Sequence, residues 1–334
     1  MDPGSLKHYH EHEFDPQDLL NDFALPDTDK TLHEEIFLFP MKTLQTLTSS
    51  GKIAGKTLID FSSGPVISHL LPIFDYFSDV IILETNDFCM REMEKWRKKE
   101  EEAFDWSHLL EHFSELEGDS KKWIEKEETL RRKIKNMMIC DLSKQDPPES
   151  LALPKADCLM SFYLLSHICK DKEAYSEIIK HVSCFLNVGG YLILAGAFNV
   201  KYFSIGEHKY HSLTMDEEYL RKALEDGGFY IENLEKLDSK LSSSLNKYDQ
   251  VFLASAVKVR EPASPLVYSL PAPVVYSLST PYSSGGEPMA RVPEVALRAL
   301  SMGTRAITPL QISPDRTQGV LQSQAAQDPR RKLK

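Results

Sequence analysis

Two carboxylates and a turn of small residues stand closest to chemistry in this sequence. Asp60-Phe61-Ser62-Ser63-Gly64-Pro65 follows a short apolar run at 57–61. Small residues at 62–64 let a ligand approach the backbone closely, and Pro65 suits the first turn of a helix, where its missing N–H costs nothing. Glu84 ends a second apolar run, 24 residues after Asp60, and a carboxylate there can accept two hydrogen bonds from ribose hydroxyls. Asp141, after a third run, could accept from an adenine amino group. Together these groups describe an adenosine site. A dinucleotide needs its pyrophosphate cradled by a G-x-G-x-x-G turn, and the stretch Ser62-Ser63-Gly64-Pro65-Val66-Ile67 holds one glycine. S-adenosylmethionine has no phosphate and needs only a close turn and polar contacts to its amino-acid end, so the pattern favours it. The residues alone leave open a plainer reading, in which 62–65 is a strand-to-helix turn and Glu84 an exposed strand end.

The elements that must position these groups alternate along the chain. Strand-like runs fall at 57–61, 80–83, 136–140, 157–161 and 191–194, with helical spacing at 66–77, 87–99 and 174–186, the last closed by Val188-Gly189-Gly190. Two further strands, 229–237 and 249–257, have only a polar loop between them. Strands alternating with helices predict a doubly wound, mostly parallel α/β sheet, and continuous apolar runs predict strands buried on both faces. The last pair predicts an antiparallel hairpin at one edge.

Composition excludes several classes. Charged residues make up 27% and the net charge is −11, a balance that repels phosphate backbones, so no nucleic-acid partner is expected. The basic residues at 95–99 and 121–135 are interleaved with Glu and read as solvated helix faces. Five cysteines, with no C-x-x-C pair, fit neither a disulfide framework nor a zinc site. They suit a reducing, cytoplasmic compartment. No signal peptide and no membrane span are expected. The His8-Tyr9-His10-Glu11-His12 run is read as incidental, and no metal is expected. Residues 261–334 hold ten of the nineteen prolines and a small repeat, Pro-Leu-Val-Tyr-Ser-Leu at 265–270 and Pro-Val-Val-Tyr-Ser-Leu at 273–278. They are expected to form a low-complexity, disordered tail, with a short helix possible at 292–300, behind a domain spanning 1–260.

Several stretches then match a known pattern: Phe14-Asp-Pro-Gln-Asp18, Asp60 to Pro65, the long run at 94–107, Cys140-Asp141, Pro154-Lys-Ala-Asp-Cys-Leu-Met-Ser161, and Ile205-Gly-Glu-His-Lys-Tyr-His-Ser-Leu213. Over roughly residues 8–260 the chain resembles the nicotinamide, indolethylamine and phenylethanolamine N-methyltransferase family, its nicotinamide branch above all, as a divergent member. The resemblance implies a Rossmann-like class I methyltransferase fold and S-adenosyl-L-methionine as donor. It implies as acceptor a small amine, heteroaromatic nitrogen or thioether. Carried over by position, the donor-binding set is Asp60, Ser62, Ser63, Gly64, Glu84, Cys89, Asp141, Leu142 and Phe162. The substrate-binding set is Leu19, Ala24, Gly196, Val200 and Ser212. A lid at 14–24 would close over both ligands, and a monomer is expected.

Departures from the family pattern accompany these matches. Ser62 replaces the first glycine of the turn, Cys89 an Asn and Phe162 a Thr; Leu19 and Ala24 replace two lid tyrosines. Gly196 replaces the Asp that holds the nicotinamide amide, and Val200 a Ser, while Ser212 is retained. Each lost partner costs about 1–3 kcal/mol, so the expectation is weakened donor binding and a changed acceptor. A catalytically weak or inactive binding or regulatory protein is the alternative. Methyl transfer to a pyridine nitrogen needs alignment more than a base. A protonated amine needs one, and His167 and His208 are the candidates near the predicted mouth, although a packed or solvent-facing histidine is the plainer reading of each.

Overall fold

The computed structural model describes residues 6–25, 29–116, 118, 122–140, 153–242 and 246–262. The tail expected at 261–334 and the positions Asp141 and Leu142 lie outside the described residues, apart from 261 and 262. Ten strands occur among those described: β1 (Gly55–Asp60), β2 (Phe77–Glu84), β3 (Ile134–Ile139), β4 (Ala156–Phe162), β5 (Leu186–Phe198), β6 (Tyr202–Ile205), β7 (His208–Tyr210), β8 (Phe229–Asp238), β9 (Asn246–Lys247) and β10 (Gln250–Lys258). Seven form one sheet in the order β3-β2-β1-β4-β5-β10-β8. The pairs from β3 to β5 are parallel, and β10 runs antiparallel to both β5 and β8. The antiparallel pair at one end is as expected, with β8 at the edge and β10 wedged beside β5. The central strands are buried on both faces, which is why they read as unbroken apolar runs. Strand order reverses between β1 and β4, so the crevice beyond the carboxyl ends of β1, β2 and β4 is where such a sheet takes its ligand.

Among the described residues nine α-helices accompany the strands: α1 (Pro16–Phe23), α2 (Lys30–His33), α3 (Phe39–Thr48), α4 (Asp87–Lys98), α5 (Ser107–Leu116), α6 (Trp123–Lys133), α7 (Leu164–Ile168), α8 (Lys172–Cys184) and α9 (Glu217–Asp226). Caps fix several starts. The Asp15 side chain accepts from the Gln17 N–H before Pro16 opens α1, Asn86 accepts from the Phe88 and Cys89 N–H groups, and Asp171 from Ala174. The helix expected at 174–186 is α8, and the Val188-Gly189-Gly190 stretch lies on β5 instead of closing it.

One element differs outright from expectation. Residues 66–77 form no α-helix but two 3-10 turns, Ser68–Leu70 and Phe74–Tyr76, and Pro65 opens none. Pro72 sits inside the run and removes a backbone donor. The stretch is also buried on every side from Val66 to Phe74, so it lacks the solvated face of an amphipathic helix. A second small sheet, β7-β6-β9, went unforeseen because its strands are short. It also anchors the N-terminal segment: Lys7 pairs with Tyr210, donating to the Lys209 carbonyl at 2.9 Å while its own carbonyl accepts from the His211 N–H at 2.8 Å. No helix of the described residues is long and apolar enough to cross a membrane. None of the five cysteines forms a disulfide.

Between α2 and α3 the chain forms a π-turn, Glu34–Leu38, that points Glu35 inward. The buried Glu35 carboxylate accepts from Ser239 Oγ at 2.8 Å, Lys240 N at 2.7 Å and Tyr248 Oη at 2.8 Å. It thereby ties the segment before α3 to the loop between β8 and β10. Replacing Glu35 with Ala strands three donors, and urea denaturation is expected to register a loss of roughly 2–4 kcal/mol; a loss below about 0.5 kcal/mol would show that this tie does not hold the segment.

Candidate functional site

The turn after β1 is held by a chain of buried polar contacts. Asp60 ends β1 with 2% of its surface exposed. Its Oδ1 accepts from Ser62 Oγ at 2.5 Å, and its Oδ2 lies 2.9 Å from His69 Nε2. Ser62 Oγ accepts in turn from the Phe162 N–H at 3.0 Å, joining the turn to the end of β4. The extra Cβ of Ser62 is therefore directed into the fold, where its hydroxyl is fully used. Gly64 takes φ 81°, a conformation that favours glycine, and a Cβ there would meet Leu19 Cδ2 of α1 at 3.0 Å.

Glu84 ends β2 on the same side of the sheet. Its Oε1 accepts from the Thr85 N–H at 2.7 Å and the Asn86 N–H at 3.0 Å, while Oε2 is buried with no partner among the described residues. Burial pushes the carboxyl up to about 8, against the lowering effect of those two N–H donors, and the charge on Asp60 adds to the rise. The cover over this carboxylate comes from the N-terminus. Tyr9 is fully buried; its hydroxyl accepts from the Gly64 N–H at 2.7 Å and lies 3.5 Å from Cys89 Sγ. Burial raises both the Tyr9 phenol and the Cys89 thiol far above their usual range, so both stay neutral. An unpartnered, buried acceptor at a strand end beside a close turn is what a ligand's sugar hydroxyls would satisfy.

The β1 turn also borders a cavity with about 670 Å³ of empty space, part of it open to solvent. Leu19 and Phe23 of α1, Ile36 and Phe37 of the π-turn and Met41 of α3 give it apolar walls. Ser63, Ser68 and His69 face it from the β1 turn, Phe162, Tyr163 and His167 from the end of β4, and Phe203 of β6 and Asn246 of β9 from the small sheet. His167 stacks on Phe203 at 3.9 Å, and its Nδ1 lies 3.3 Å from Ser63 Oγ. Burial, with the nearby His211, pushes His167 down to about 3, so it is neutral at physiological pH.

The structure thus sorts the sequence-predicted residues into groups. Leu19, Ser63 and Phe162 line the large cavity. Asp60, Ser62, Gly64, Glu84 and Cys89 are buried around the β1 turn, the end of β2 and the start of α4, and line neither cavity. Gly196 lines a separate, small cavity with Ser161, Ser166 and Met215, and a Cβ on it would lie 2.8 Å from the Phe252 ring. Ala24, Val200 and Ser212 are buried and line neither cavity. His208 is exposed on β7, away from both. Two residues escaped sequence reasoning, Tyr9 and His69. The position of Tyr9 follows from the long-range pairing of Lys7 with Tyr210, which no local pattern announces. His69 lay inside the stretch read as an amphipathic helix; nine residues after Asp60, it could have been found only by reading 65–72 as a proline-bounded turn folding back on β1.

Comparison with known proteins finds similar sequences over most of the chain. The pattern of the NNMT/PNMT/TEMT family matches residues 5–259. The chain is 32% identical over 249 residues to nicotinamide N-methyltransferase of Homo sapiens, covering 75% of this chain and 94% of that protein. It is 34% identical over 239 residues to nicotinamide N-methyltransferase of Sus scrofa, covering 72% and 90%. It is 32% identical over 219 residues to indolethylamine N-methyltransferase of Mus musculus, covering 66% and 83%.

The burial of Glu84 has a measurable consequence. A carboxyl raised in the folded state contributes stability below its unfolded value, and that contribution is lost as pH rises through about 8. Glu84→Gln stays neutral throughout. Its stability relative to the unsubstituted protein is expected to rise between pH 4.5 and 8, by up to about 5 kcal/mol in urea titrations. A flat difference across that range would contradict the burial of a protonated Glu84.

Proposed function

The chain belongs to the NNMT/PNMT/TEMT family, and from that premise we propose that it transfers the methyl group of S-adenosylmethionine to a small amine, heteroaromatic nitrogen or thioether. The observation that carries the reading is the buried, unpartnered Glu84 Oε2 beside the Ser62-Ser63-Gly64 turn. The donor, when bound, supplies an electrophilic methyl group on a sulfonium. On this reading Glu84 accepts from the ribose hydroxyls, and Asp60 and Ser62 fix the turn. Gly64 and Cys89 flank the nucleoside, Asp141 and Leu142 meet the adenine, and Ser63 and Phe162 lie where the amino-acid end meets the cavity. The acceptor enters the apolar cavity under α1, where Leu19 and Phe23 exclude water. Neither Gly196 nor Val200 offers a carboxylate or hydroxyl, and Ala24, Gly196, Val200 and Ser212 all stand outside the large cavity. This supports an acceptor chosen by shape and apolar contact more than by a charged anchor. Residues 1–260 act as the catalytic domain of a cytoplasmic monomer, with 261–334 an appendage. The five cysteines without a disulfide support a reducing compartment, and the charge of −11 supports a small-molecule acceptor over nucleic acid.

One observation favours the second reading, a weakly active or inactive binding protein. The Tyr9 hydroxyl already occupies the Gly64 N–H, and Glu84 is 1% exposed. Donor binding therefore requires the Tyr9 segment to shift.

Titration calorimetry with S-adenosylmethionine and S-adenosylhomocysteine tests both readings. Binding at micromolar levels supports methyl transfer; no binding up to millimolar supports the second. Ribose hydroxyls favour the ionised Glu84, so binding is expected to release a proton and to tighten as pH rises toward about 8. Tyr9→Phe removes the hydroxyl that competes for Gly64 and is expected to tighten donor binding about 3- to 10-fold. Affinity that is independent of pH in both proteins would remove Glu84 from the donor site.

A further inference from the structure

We propose that His69 is the general base for amine acceptors and that Asp60 positions it. The inference rests on the methyl-transfer reading and deepens it, by naming the group that makes a protonated amine reactive. At neutral pH a primary amine is an ammonium ion without a lone pair, so its proton must go to the protein before its nitrogen can attack. The cavity offers few recipients. Among its lining residues, only His69, His167 and Tyr163 carry titratable side chains.

Two of the three are poor recipients. The Tyr163 phenol donates to the Ile36 carbonyl at 3.1 Å, and burial raises it well out of the working range. His167 is stacked on Phe203 and hydrogen-bonded to Ser63, and an imidazolium there would be desolvated with no carboxylate beside it.

His69 is built differently. Its Nε2 sits 2.9 Å from Asp60 Oδ2, so the ring donates there and an imidazolium is met at once by a carboxylate. The other oxygen of Asp60 is clamped by Ser62 at 2.5 Å, and Ser62 is held by the Phe162 N–H at 3.0 Å. The His69 ring also stacks on Phe162, with centroids 5.0 Å apart and planes 23° apart. These contacts fix the tautomer and leave Nδ1 as the nitrogen with the lone pair. Nδ1 has no hydrogen-bond partner among the described residues, on a ring that lines the cavity. Glu84, the other buried carboxyl of the crevice, is pushed up to about 8 and leaves Asp60 as the nearby negative charge.

In the proposed step an acceptor N–H bond breaks and its proton passes to His69 Nδ1. The bonding pair stays on the acceptor nitrogen as the nucleophilic lone pair, and the positive charge moves from the ammonium to the imidazolium beside Asp60. The step gives the Ser62 substitution a purpose: where the family turn carries glycine, Ser62 immobilises the carboxylate that orients the base.

The test compares two probe acceptors with labelled S-adenosylmethionine. 2-Phenylethylamine must lose a proton, whereas quinoline has a free lone pair at neutral pH. His69→Gln keeps a donor toward Asp60 but cannot take a proton. The ratio of kcat/KM for 2-phenylethylamine to that for quinoline is expected to fall about 100-fold or more in the variant. A second readout uses the unsubstituted protein with 15N-labelled histidine and S-adenosylhomocysteine. The His69 ring is expected to become an imidazolium when 2-phenylethylamine is added and to stay neutral with quinoline. Equal losses on both probes, an unchanged ratio, or a His69 that stays neutral at saturating 2-phenylethylamine would overturn the proposal. Transfer to neither probe, with His69 still taking the proton, would overturn the methyl-transfer reading and leave the base in place.

Discussion

A carboxyl oxygen sealed from water, with no partner among the described residues, is the constraint around which this molecule is organised. Leaving such an acceptor unsatisfied costs about 1–3 kcal/mol, more if the group is charged. Glu84 Oε2 stands in that position. The fold lowers the penalty in two ways: Thr85 and Asn86 satisfy the other oxygen, and burial keeps the carboxyl largely protonated near neutral pH. What remains is one unpartnered carboxyl oxygen beyond the carboxyl end of β2, the end at which doubly wound sheets generally take ligands.

The neighbouring carboxyl, Asp60, is treated in the opposite way. Both of its oxygens are engaged, one by Ser62 and one by His69. Two acidic side chains on adjacent parallel strands thus have different environments, one left open and one saturated. That contrast separates a carboxyl with one oxygen left without a partner from a carboxyl that ties Ser62 and His69 to the turn. Between them the Tyr9 hydroxyl covers the Gly64 N–H. The N-terminal segment is held there by its pairing with β7, far from the turn in sequence, so access to Glu84 is governed by contacts outside the sheet.

Much of this was legible in the sequence, for identifiable reasons. The parallel strands are buried on both faces and so read as apolar runs, and Asp60 and Glu84 stand at the carboxyl ends of two of them. The family resemblance read from the stretch at 94–107 and its companions agrees with the match over residues 5–259. The failures are equally physical. Residues 66–77 carry apolar side chains at helical spacing, but Pro72 and burial on all sides break the helix into short turns, and His69 was hidden in that misreading. The small sheet of β6, β7 and β9 has strands too short for any periodicity, so the site of Tyr9 could not be inferred. Gly196, expected at the acceptor, lines a second, smaller cavity, where an added Cβ would meet the Phe252 ring.

A crystal structure of the protein with S-adenosylhomocysteine bears most directly on the central claim. Both ribose hydroxyls are expected within hydrogen-bond distance of Glu84, with the Tyr9 hydroxyl moved off the Gly64 N–H. A nucleoside bound elsewhere, with Tyr9 still seated on Gly64 and Glu84 Oε2 still without a partner, would contradict it.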